Sequence, residues 1–137
     1  MSLGRMKSWG RAIVTFMIGY VVATGVGFAS FSKPVLMWTL VFTLMPLVFA
    51  SLAYWYFRSV KPAPVEARRE AIQLALFWIG ISFVLDALIY IAVLPLVFGK
   101  KANWTFFIDQ SPWIWICYAV LASAVFVGVF VYKNTRR

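Results

Sequence analysis

Four long apolar stretches, residues 12–31, 35–57, 71–98 and 112–132, leave this chain little freedom in how it folds. Each is about 20 residues or more, the length at which a helix rising 1.5 Å per residue crosses roughly 30 Å of hydrocarbon. A soluble domain has nowhere to hide so much apolar surface. Only 12% of the 137 residues are charged, against about 25% in ordinary soluble domains. The expected fold is therefore all-α: one integral membrane domain spanning 1–137, a four-helix bundle of four transmembrane helices. The third helix is expected to begin as early as residue 65, before its apolar run.

The runs carry local signals. The amino-terminal segment is basic through Arg5, Lys7 and Arg11, but the first run is too long for a cleavable signal core of 7–15 residues, so it reads as an uncleaved helix. Within it Gly19, Ala23 and Gly27 recur at every fourth position, which strips one face of bulk and suits close helix packing. Ser32, Lys33 and Pro34 mark a turn, because proline fits the first turn of a helix and cannot continue one. Pro46 stands near the middle of the second run; it removes a backbone hydrogen bond and predicts a kink or hinge. Between the second and third runs, Glu66 and Glu70 flank Arg68 and Arg69 in what reads as a wet stretch that opens a helix. The connection 102–111 is unusually aromatic for a loop and should lie in the interface; Trp104 in it, with Trp113 and Trp115 just beyond, predicts an aromatic belt. Ser111 and Pro112 read as cap and first turn of the fourth helix. Asp109 and Gln110 read as helix-capping residues or as polar groups at a cavity mouth.

Charge gives the orientation. Arg5, Lys7, Arg11, Arg58, Lys61, Arg68, Arg69, Lys133, Arg136 and Arg137 fall at one end of the predicted bundle, and Lys33, Lys100 and Lys101 at the other. Short basic segments stay on the cytoplasmic side, so both termini are expected inside, in an inner or plasma membrane. The net charge of +9 is then explained by orientation and by anionic lipid headgroups on the cytoplasmic face, with no call for nucleic acid.

Much chemistry lacks its parts. There is no histidine, and Cys117 is the sole cysteine, so neither an imidazole proton carrier, a disulfide within the chain nor a thiolate metal cluster is available. No catalytic residue, metal site or cofactor is expected, and an enzyme is disfavoured. One acidic residue, Asp86, stands deep in an apolar run, where a carboxyl is costly unless it is protonated, paired or hydrated. Trp78, Ser82, Asp86 and Tyr90 follow one another at i+4 spacing and share one helix face. Ser82 and Tyr90 are suited to hydrogen bonding with the carboxyl, Trp78 to facing a cation, and Thr39, Thr43 and the carbonyl released by Pro46 to partnering it across the bundle. A carboxyl that is neutral when occluded and charged when wet suits proton coupling, or the holding of a small cation or cationic solute. The expectation is a small proton- or cation-coupled transporter or channel-like protein. A homodimer through the small-residue face would supply a second cavity wall. The alternative is a non-catalytic accessory or assembly subunit in which Asp86 meets a membrane-protein partner.

Overall fold

The computed structural model describes residues 8–30 and 32–136, and among them it is all-helical, with no strands. Arg5, Lys7, Phe31 and Arg137 lie outside the described residues. Helix α1 spans Trp9–Ser30 and α2 spans Pro34–Val60. Helix α3 covers Pro64–Val97, with a π-helical stretch, Ala87–Val93, inside it. A single turn, α4, occupies Phe106–Asp109, and α5 spans Trp113–Thr135. The four long helices are each long and apolar enough to cross a membrane.

Helix ends follow from local chemistry. The turn into α2 closes with Lys33 N–H donating to the Ser30 carbonyl at 2.9 Å, and Pro34 takes the first helical position, where its missing N–H costs nothing. At the other end of α2, Lys61 adopts a left-handed backbone (φ 51°) and donates its N–H to Phe57 O, and Pro62 prevents continuation. Helix α3 starts at Pro64, seven residues before its apolar run, as Glu66 in the first turn favours. The fourth long helix departs from expectation. It opens at Trp113, Pro112 precedes it, and Ser111 makes no cap; its hydroxyl donates back to Phe107 O at 2.6 Å and accepts from Trp115 Nε1 at 2.9 Å.

Helix α2 is the spine, packing along α1 on one side and α5 on the other, while α5 also packs on α3. The α2–α5 contact is close because Gly128 of α5 faces α2: a Cβ there would stand 2.6 Å from Ala53 Cβ and 2.9 Å from Tyr54 N. On the opposite side, a Cβ at Gly19 would come within 3 Å of Phe49 and Leu52. Trp78, Tyr56, Phe16, Phe57, Leu74 and Val125 form the fully buried core. It fills the half of the bundle nearest the chain termini. That end is also clasped by polar contacts: Arg11 Nη1 donates to Ser59 O, Arg136 Nη1 to Tyr132 Oη at 2.6 Å, and Tyr132 Oη to Pro62 O at 3.5 Å. Glu70, expected in a wet stretch, is instead buried at 5% exposure and accepts a hydrogen bond from Tyr56 Oη, because α3 begins early enough to carry it inside against α2. Helices α1 and α3 touch only sparsely.

Gly128→Val should therefore lower stability by about 1–3 kcal/mol, the usual cost of forcing extra volume into a packed contact. Gly25→Ala, where nothing lies within 4 Å of an added Cβ, should not. Thermal unfolding of both variants in detergent, followed by circular dichroism, checks the contrast.

Candidate functional site

The backbone around Asp86 is set by a proline. Pro95 has no N–H to give to the carbonyl of Ile91, four residues earlier, and in hydrocarbon such an orphan must find another donor. The connection after α3 supplies it: Asn103 N–H donates to Ile91 O at 2.8 Å. The ladder widens over the same stretch, with Leu94 N–H reaching back five residues to Ile89 O. Asp86 is the last α-helical residue before this π-helical segment.

The Asp86 carboxylate is held from two other helices. Tyr20 of α1 donates its hydroxyl to Oδ1 at 2.9 Å, and Tyr118 of α5 donates to Oδ2 at 2.7 Å. One acid thus links α1, α3 and α5 through two hydrogen bonds. The sequence reading missed both tyrosines. Their signal was depth: each lies well inside an apolar run, away from the ends where tyrosines gather, and on antiparallel helices both fall at the level of Asp86.

Above these three residues a cavity of about 950 Å³ opens toward the end of the bundle opposite the termini. Its walls run from Tyr20 to Phe28 on α1, from Asp86 to Pro95 on α3 and from Ile114 to Tyr118 on α5, which makes the Tyr20–Asp86–Tyr118 group the floor. Phe28, Trp38, Tyr90, Phe98 and Phe106 give it an aromatic wall. Asp86, Lys100 and Lys101 are the charged residues lining it, and the helix rise puts the two lysines roughly 16 Å above the acid. A second cavity of about 130 Å³ lies on the other side of the same three residues, bounded by Ser82, Pro46 and Phe42.

The i+4 face splits. Tyr90 lines the large cavity with Asp86 and stacks on Phe106 at 4.9 Å between ring centroids. Ser82, 6% exposed, faces the small cavity. Trp78 joins neither: its indole N–H donates to Ala12 O at 3.1 Å and its ring packs beside Phe16 and Phe49 in the core. Thr39 and Thr43 do not reach Asp86, because their hydroxyls donate to Val35 O and Thr39 O of their own helix. Helix α2 runs through Pro46 without a break.

In the small-residue row, Gly19 packs against α2, whereas Ala23 and Gly27 form cavity wall. Among the loop residues, Gln110 lines the large cavity, Asp109 accepts from Thr105 Oγ1 at 2.9 Å, and Trp104 stands 79% exposed. Trp113 packs on Trp38 and Phe42, each at 6.1 Å. Phe107 stacks on Phe83 at 4.8 Å and on Trp115 at 5.8 Å, so rings of α3 and α5 cover part of the aromatic surface of α4.

Searches against protein-family models, curated proteins and solved structures return no match for this chain.

Tyr20→Phe and Tyr118→Phe should each destabilise the protein by about 0.6 kcal/mol, the average for polar contacts between membrane helices. The effect of either should shrink in an Asp86→Asn background, since the three groups act together. Unfolding titrations of the single and double variants measure this coupling.

Proposed function

We propose that the protein is a small, non-catalytic, transporter-type membrane protein, proton- or cation-coupled, that receives a cationic solute in the large cavity and holds its charge at Asp86. The observation that carries this reading is a single carboxylate on the floor of a cavity of about 950 Å³. A proton relay alone needs no such space, whereas ligand pockets commonly measure roughly 300–1,000 Å³. The aromatic wall adds faces that attract cations, most strongly where water is excluded. Residual lone pairs on both Asp86 oxygens and on the two phenols provide acceptors for an ammonium or a bulkier cation.

The distribution of basic residues supports a reading in which the termini end lies in the cytoplasm, among anionic headgroups, and the cavity opens to the opposite face of an inner or plasma membrane. The sparse α1–α3 side would be closed by a second copy of the chain or by a membrane-protein partner. Exposed Phe98, Trp104 and Ile108 beside the cavity mouth favour a second reading, an accessory subunit that docks a partner at this end.

The first reading predicts saturable binding of tetraphenylphosphonium, an aromatic monovalent cation, to the purified protein, measured by equilibrium dialysis. Asp86→Asn, which keeps size and hydrogen bonding but removes the charge, should weaken it at least tenfold. Absence of saturable binding to the unaltered protein, or equal binding to the Asn variant, refutes the reading.

A further inference from the structure

The small cavity beneath Asp86 has a different character from the one above it. At about 130 Å³ it is too small for an organic solute. With roughly 30 Å³ per water molecule it accommodates one ion and a few waters. Oxygen-bearing groups border it from all four long helices: Tyr20 on α1, Phe42 on α2, Ser82 and Asp86 on α3, and Tyr118 on α5.

Two of these groups depart from the usual hydrogen bonding of a helix. Ser82 is 94% buried, lines the cavity, and has no hydrogen-bond partner among the described residues. Helical serines usually bond back to their own backbone, as Ser30, Ser51 and Ser123 do here. On α2, Pro46 has no N–H to offer the carbonyl of Phe42. Both residues line this cavity, so the carbonyl deprived of its usual helical donor belongs to a residue that borders the same space as Ser82 and Asp86. Backbone irregularity at this depth is tolerated where it lines a cavity, and released carbonyls are a recurrent means of holding alkali cations in transporters.

We propose that this cavity binds a partly dehydrated sodium ion, held by Asp86, the Ser82 hydroxyl and the Phe42 carbonyl. This rests on the functional reading of Asp86 and extends it by naming the coupling ion. The donor set is all oxygen, which suits a hard cation. Asp86 is the single acid among the lining residues, which matches a monovalent charge and leaves a divalent ion under-compensated. The Tyr20–Asp86–Tyr118 group is then a shared wall: solute on one side and ion on the other compete for, or jointly satisfy, the same carboxylate.

The test is equilibrium binding of radioactive sodium to purified protein in detergent, at constant ionic strength set with choline chloride. The expected result is saturable binding that excess unlabelled sodium displaces and choline or an equal excess of potassium does not. Ser82→Ala should weaken it at least tenfold and Asp86→Asn should abolish it. Pro46→Ala, which returns a donor to the Phe42 carbonyl and favours the helix, should weaken it severalfold in a protein that remains folded. No saturable binding to the unaltered protein, equal displacement by potassium, or indifference to both Ser82→Ala and Pro46→Ala overturns the proposal. Tetraphenylphosphonium binding measured in choline separates the two readings. If it survives with its dependence on Asp86 while sodium binding is absent, the ion site alone falls; if both are absent, the solute reading falls as well.

Discussion

The hydrogen bonds from Tyr20 and Tyr118 to the two oxygens of Asp86 are the contact on which the far half of this bundle depends. In the half near the termini, α2 is glued to its neighbours by close backbone approach at Gly128 and by Trp78, Phe16 and Phe57 in a dense core. In the other half a cavity takes the place of side chains between α1, α3 and α5. What keeps three helices in register there is one carboxylate reached by two phenols. Such a link is directional, unlike apolar packing, so it fixes the rotation of α1 and α5 about their own axes as well as their distance from α3.

Proline sets the two places where the helical ladder is opened, and the consequences differ. At Pro95 the freed carbonyl is taken up by the backbone of the following loop, through Asn103, and the helix relaxes into a π-helical stretch. At Pro46 the carbonyl that loses its donor belongs to Phe42, which borders a small cavity together with Ser82 and Asp86. The chain satisfies one defect with its own backbone and places the other beside a cavity.

Class and course were legible in the sequence because they depend on run length and on sparse charges, which survive any detail of packing. That Asp86 would need partners was legible for the same reason: a lone acid within an apolar run is conspicuous without coordinates. Its partners were not. Spacing along one helix pointed to Ser82 and Tyr90, both of which border a cavity that Asp86 also borders, and equally to Trp78, which instead spends its N–H on Ala12. Periodicity finds the face a residue is on, and says nothing of which neighbour occupies that face at each level. Thr39 and Thr43 were misjudged for a related reason, since a helical threonine has a carbonyl within reach on its own helix. Glu70 was misread because its neighbours Arg68 and Arg69 are exposed, and three successive residues of a helix point in three directions.

The hydrogen bond from Asn103 to Ile91 has a mechanical consequence for how anything enters the large cavity. Swinging the loop outward would leave a backbone oxygen unanswered in an apolar layer, a loss of several kcal/mol by the cost of stranding such a group. The backbone of the entrance is thereby pinned. Passage is left to the rotation of rings such as Phe28, Phe98 and Phe106, so admission at this doorway should be governed by side-chain rocking on fast timescales, with the main chain standing still.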